Sequence, residues 1–424
     1  MAAVETTPHS ADRSPLSRPR TVAVAGIVFA AGLVLFSLAD FLADSFAGRH
    51  SLRSLQFATW LAPGNSDYHS QLGRYLQVTN GDLYRALQEY QTATRLNPLD
   101  AATWFEIARL QQVLGNPAEQ GRALDQAMRA APKKPDVAWE AANFLLLRGE
   151  RDQALREFRV VLENDPPSTP AALDLLWRVE PDAGALLDNV IPANPDTYGA
   201  FLSLLMSKEN SEAAAKVWSA LMGLQQQFPP RSGLEYVNYL LIHRQPEQAH
   251  DAWQQMAPLC GLTAYLPSQN LIVNPRFEQD VLNAGFDWHY YERSDVKITL
   301  DESAPGGSHA ILVTFAGPGI TETGLFQLVA VAPNTQYQFS VHFKTDELEG
   351  AGGPAFVIRD ELTGTVYLTT EALKNPGSWR EITGHFETGP DAKLISVRIV
   401  RIPAGNAIRG HLWMDEVQLV RLQL

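Results

Sequence analysis

The sequence predicts a multidomain chain: a single transmembrane helix, then an α-solenoid of helical hairpins, then an all-β jelly-roll sandwich. Three observations carry that expectation. A 19-residue stretch near the N-terminus, Thr21–Ala39, has no charge. Prolines recur every 34 residues at Pro98, Pro132 and Pro166. Beyond Pro267 the helical period gives way to short alternating segments, and 15 of the 29 glycines fall in the last 154 residues. A length of 424 residues leaves room for two or three domains.

Residues 1–20 are polar, with three prolines and Arg13, Arg18 and Arg20. Such a segment buries little apolar area and is expected to be a disordered cytoplasmic tail. The transmembrane helix is placed at 21–43. At ~1.5 Å per residue, its uncharged run is about 28 Å long, close to the hydrocarbon thickness of a bilayer. Arginines precede it and Asp40 and Asp44 follow it, so the positive-inside tendency puts the tail in the cytoplasm. The rest of the chain then lies on the periplasmic or extracellular side of the cell membrane. The competing expectation is a cleaved signal peptide, with Ala43–Ala47 before Gly48 as its cleavage site. A buried soluble helix is a third.

The solenoid is placed at 51–260. Ala93 and Ala127 are 34 apart, as are Gly115 and Gly149, while Trp104 and Trp139 differ by 35. Within one unit, Leu72, Gly73 and Tyr75 are followed by Gly81 and Asp82, then Ala86, Tyr90, Ala93 and Pro98. This pattern resembles the tetratricopeptide repeat, a helix–turn–helix unit of 34 residues. Small residues let paired helices approach, and proline ends the second helix. Five to six pairs are expected. Three are clear between 65 and 166, and the proline-rich stretch after Pro166 blurs the register. The resemblance implies a protein partner along the solenoid. Trp104, Trp139, Trp218 and Trp253 are read as packing residues.

The β-sandwich is placed at 268–424. In Tyr337–Thr345, Tyr337, Phe339, Val341 and Phe343 alternate with Gln338, Ser340, His342 and Lys344, the pattern of a half-buried strand. Similar segments occur at 310–315, 324–331, 355–360, 365–370, 380–388, 394–400 and 411–420. Eight or more short strands in so few residues make a two-sheet sandwich. Four local patterns run in order: Asn270–Glu278 with Gly285–Trp288, Val331–Tyr337, Gly377–Glu381, and Leu412–Leu419. Together they resemble a carbohydrate-binding module of jelly-roll type.

That resemblance implies two sites. Glu278 and Asp415 match acidic positions of a structural calcium between the first and last strands. A hard cation needs more oxygens, which carbonyls near Gly306 and Gly307 would supply. Otherwise the two acids are simply solvated strand ends. Trp288, Tyr290 and Tyr291 lie within four residues and are the expected platform for a sugar ring; otherwise they are core or loop residues. His342 and Lys344, on the outer face of one strand, either line a groove or are plain solvated side chains. No other cofactor is expected.

A net charge of -13 argues against nucleic acid as a partner. The one cysteine, Cys260, excludes an internal disulfide. The sequence lacks H-E-x-x-H, G-x-S-x-G and P-loop motifs, and no catalytic residue is assigned. The expected function is therefore a non-catalytic membrane-anchored scaffold or adaptor. Its solenoid would bind a protein partner and its sandwich a glycan, in envelope or extracellular polysaccharide assembly or export. The alternatives are a structural assembly factor without sugar binding and an accessory of an exported glycan hydrolase system.

Overall fold

The computed structural model describes residues 19–301, 309–374 and 377–422. Gly306 and Gly307, and residues 1–18 of the expected tail, lie outside the described residues. The chain divides between Asn164 and Asp165 into two compact units.

The first unit is helical. Helix α1 (Pro19–Ala47) pairs with α2 (Leu52–Leu61). Its apolar part, Val24–Ala47, is long and apolar enough to cross a membrane. Three hairpins follow: α3 (Ser66–Tyr75) with α4 (Leu83–Leu96), α5 (Ala101–Val113) with α6 (Pro117–Ala130), and α7 (Pro135–Leu147) with α8 (Arg151–Asn164). Side chains of Ser51, Asn65, Asp82 and Asp100 cap the helices that follow them by accepting backbone N–H bonds. Pro117 and Pro135 open α6 and α7, where a missing N–H costs nothing.

The small residues of the repeat act where expected. A Cβ added at Gly73 would lie 2.9 Å from the Tyr90 ring and 3.2 Å from the Ala86 carbonyl oxygen, so only glycine lets α3 and α4 approach this closely. The period also brings neighbouring hairpins into register. Ser70 Oγ is 2.9 Å from Thr103 Oγ1, and the rings of Phe105 and Phe144 stack at 5.9 Å.

The second unit opens with helices α9 (Thr169–Val179) and α10 (Ala183–Asn189), followed by two more hairpins, α11 (Pro195–Ser207) with α12 (Ser211–Gly223) and α13 (Pro230–Ile242) with α14 (Pro246–Leu259). The proline-rich stretch after Pro166 is thus helical, but α9 packs on α11 and α10 on α12 rather than on each other as a clean hairpin. Pro170 and Pro195 stand in first turns, where they start helices rather than break them. Trp218 and Trp253 are buried, and Trp104 and Trp139 are half-buried, consistent with packing.

Two five-stranded antiparallel sheets complete this unit. One has the order β1 (Trp288–His289), β4 (Glu322–Ala330), β9 (Leu394–Ile402), β6 (Gly353–Asp360), β7 (Val366–Thr369). The other has β2 (Val296–Asp301), β3 (Ala310–Gly319), β10 (Ala407–Arg421), β5 (Gln336–Glu349), β8 (Arg380–Glu387). Phe339, Val341 and Phe343 of β5 meet Phe356 and Ile358 of β6 and Ile395, Val397 and Ile399 of β9 in the core between the sheets. Side-chain alternation along each strand then sends the polar set outward.

The sandwich is docked on α13 and α14 in part by one loop, residues 282–287. The Gly285 N–H donates to Asn238 Oδ1 at 2.8 Å, and Phe286 meets the rings of Trp253 and His250 edge-on. The Tyr265 hydroxyl donates to the Asp280 carbonyl at 2.7 Å, and Lys393 pairs with Glu247 at 2.9 Å.

Candidate functional site

The outer face of the β2–β3–β10–β5–β8 sheet gathers a half-buried tryptophan and a ring of polar groups. On β10, Trp413 stands between Leu312 of β3 and Lys344 of β5. Its indole N–H donates to Asp301 Oδ2 of β2 at 2.6 Å. The Lys344 ammonium lies 4.4 Å from the ring centroid, and the His411 ring is 5.6 Å away. Thr314 Oγ1 is 3.3 Å from His411 Nδ1. One step along the sheet, His342 Nδ1 is 2.8 Å from Glu416 Oε2.

Each of these residues holds an outward position because its strand neighbours face the core. Leu412 and Met414 flank Trp413 and are buried, as Phe343 is beside Lys344. The arrangement suits a sugar: an indole face accepts the C–H side of a pyranose, and carboxylates and imidazoles meet its hydroxyls. The cation over the ring contributes only about 0.5–1 kcal/mol at an exposed site, so a flexible lysine can yield that place.

The expected platform does not assemble. Trp288 is 1% exposed, with the Phe277 ring tilted against it at 5.4 Å and its N–H on the Asn274 carbonyl. Buried this way it offers no face to a ligand. Tyr290 packs against the sandwich core, whereas Tyr291 is 59% exposed beside Phe326 of the other sheet, 5.8 Å away. Tyr290 and Tyr291 follow β1 in a loop, and the two neighbouring side chains take different surroundings. His342 and Lys344 are brought together with Trp413. Trp413, His411 and Asp301 were not read as site residues from the sequence, although the alternation in 411–420 already put His411 and Trp413 on one side.

Asp415 is fully buried, and its Oδ1 accepts the Glu416 N–H at 2.7 Å. It stands at a bulge of β10, where Glu416 has a φ of 50° and the Val417 N–H donates to the Pro275 carbonyl at 3.0 Å. Glu278 is on that adjoining loop, but its side chain is exposed, 3.6 Å from the Arg276 guanidinium. Among the described residues no group of three or more His, Cys, Asp or Glu could hold a metal. The side chains therefore fit a calcium only in part, and carbonyl oxygens would have to complete the shell.

Two groups, the half-buried Cys260 and the buried Asp287, have strongly shifted protonation. Burial pushes the Cys260 thiol up to about 12, which favours the protonated form over the reactive thiolate near neutral pH. Burial likewise pushes the Asp287 carboxyl up to about 7, against backbone N–H bonds from Leu282 and Trp288 that favour the anion. Its Oδ1 has no partner among the described residues. Since 7 lies above the ordinary 3.8, this group's contribution to stability is complete below about pH 4. It is lost as pH rises through 7. Asp287→Asn, which never carries the charge, should therefore melt higher than the natural protein at about pH 8 and converge with it near pH 4. A thermal-melt series across pH checks this, and parallel curves would contradict it.

Residues 269–404 match a family model described as a carbohydrate binding domain. The β module is carbohydrate-binding-domain-like. The match spans roughly a third of the chain and stops before β10, so Trp413, His411 and Glu416 of this carbohydrate-binding-domain-like module are assigned by geometry alone. No curated protein matches the chain. Similar solved structures include a CBM4 module at 16% identity, covering 36% of this chain and 99% of that one, with TM-score 0.29. Another is the CBM22-1 xylan-binding domain from Paenibacillus barcinonensis, at 16% identity, covering 35% and 92%, with TM-score 0.24. A third is YrrB, a TPR protein with an unusual peptide-binding site, at 16% identity, covering 45% and 84%, with TM-score 0.26. At such identity and score none of them assigns a ligand.

Proposed function

We propose that the protein is a non-catalytic, membrane-anchored adaptor whose helical hairpins hold a protein partner and whose β module holds a glycan. The observation that carries the reading is the family match over 269–404, joined to the Trp413 face. The acids beside Trp413 hold polar neighbours in place on this face, Asp301 the indole N–H and Glu416 the His342 ring. A cavity of about 470 Å3 among α4, α5 and α6, lined by Arg95, Trp104, Gln111 and Arg122, is a place for a partner segment. The combination fits work on envelope or extracellular polysaccharide. A glycan array probed with the full chain tests the sugar half, and a blank array sinks it.

The anchor reading is supported by burial along α1. Ala43 and Ala47 are 0% and 2% exposed, packed with Leu55, Ala58 and Tyr68. Cleavage before Gly48 would strip both from that core. The membrane-bound chain should therefore retain residues 1–47, measurable as intact mass; a mature chain starting at Gly48 would mean a signal peptide instead. The arginines before the span and Asp40 and Asp44 after it favour a cytoplasmic N-terminus, with the rest of the chain across the membrane.

The reading includes a structural calcium held by Asp415 and Glu278. Calcium should raise the thermal midpoint of the natural protein, and the Glu278→Ala/Asp415→Ala variant should lose that response. A full response in the double variant removes the assignment. A purely structural assembly role is favoured by one observation: the β module already makes a protein contact, with α13 and α14 through its 282–287 loop.

A further inference from the structure

The burial of α1 changes abruptly along its length. From Val24 to Leu38 every residue is exposed on every face. From Ala39 onward a stripe of Ala39, Ala43, Phe46 and Ala47 turns inward, at the spacing of one helix face. The first charges after the uncharged run, Asp40 and Asp44, appear at the same place. So the helix that would leave the lipid near Ala39 continues, without a linker, as the first helix of the array.

Helix α2 then runs back alongside it. A short turn at 48–51 reverses the chain, Phe57 meets Phe46 at 4.7 Å, and a cavity of about 610 Å3 lies between Phe36–Asp40 and Leu61–Ser66. Both helices rise ~1.5 Å per residue, so the end of α2 returns to the level of residues 36–41. Trp60 stands there, 71% exposed and 5.5 Å from Phe57, and Phe41 on α1 is 69% exposed. Water is a poor medium for two large rings. The headgroup layer of a bilayer suits them, because tryptophan has an apolar body and one N–H.

We propose that Trp60 and Phe41 sit in the headgroup region of the phospholipid bilayer that α1 enters, making the end of α2 a second membrane contact. This rests on the anchor reading above. Contact at two helices, rather than one, restrains rotation of the first unit about α1.

The test uses the full chain with Cys260→Ser, reconstituted in phosphatidylcholine–phosphatidylglycerol vesicles. Single cysteines are placed by Trp60→Cys, by Phe36→Cys within the span, and by Tyr84→Cys on α4, where Tyr84 is exposed. Each carries a nitroxide, and its collisions with oxygen and with an aqueous nickel chelate are measured. Nickel access at 60 should be about threefold or more below that at 84, and above that at 36. Equal access at 60 and 84, with 36 protected, overturns this proposal alone and leaves Trp60 as a surface for a protein. Water access at 36, or failure of the chain to float with the vesicles, overturns the anchor and this contact with it.

Discussion

Gly285→Ala is expected to be among the most destabilising single methyl additions in the second unit, at about 2–5 kcal/mol. Gly285 has a φ of 63°, and a Cβ there would lie 2.4 Å from Trp253 Cζ3 and 2.7 Å from Cε3. The left-handed backbone alone costs an L-residue about 1–2 kcal/mol. Pushing a methyl into a ring that cannot move adds about 1–3 kcal/mol. Trp253 is such a ring: it is buried, its N–H is on the Tyr265 carbonyl, and Phe286 packs on it. Gly364 separates the two contributions. Its φ is 78°, and nothing lies within 4 Å of an added Cβ. Gly364→Ala should therefore show the backbone cost alone, about 1–2 kcal/mol. Thermal melts of the two variants, with hydrogen exchange of residues 282–287, make the comparison. Equal losses would mean that the loop is not seated on α14 as described.

That joint was not legible in the sequence. Gly285 and Phe286 read as part of the pattern at the start of the β module, and nothing local shows that Trp253, far back in the chain, closes over them. The helical hairpins were legible because their causes are local: glycine and proline at fixed spacing, and small residues where helices touch. Most strands were legible for the same reason, since alternation is a property of consecutive residues. Strand β2 alternates too, but the expectation passed over Val296–Asp301. The candidate site was the least legible part. Trp288, Tyr290 and Tyr291 are adjacent in sequence and part in space. Trp413, Asp301 and Lys344 come from three strands and meet only through sheet order. His342 and Lys344 were the exception, because one strand's alternation was enough to place them outward.

The other large effect expected is at Trp413. Removing its ring takes away the apolar platform and frees Asp301 and Lys344 from their contacts with it. A stacked ring is worth about 0.5–1.5 kcal/mol beyond its buried area, so the total loss should exceed 1.4 kcal/mol, or about tenfold in affinity. Trp413→Phe should fall between, keeping a ring face but not the N–H to Asp301. Half-buried on the outer face, the residue is outside the sandwich core, so the fold should survive both changes. Tyr291→Ala, in a loop beside Phe326 of the other sheet, should leave binding unchanged.

The most direct measurement is glycan affinity of the full chain and its Trp413→Ala variant, on a polysaccharide the natural protein retains. The account predicts measurable binding that weakens about tenfold or more in the variant, with the thermal midpoint nearly unchanged. Undiminished affinity in Trp413→Ala, together with a loss in Tyr291→Ala, would place the site on the other sheet and contradict it.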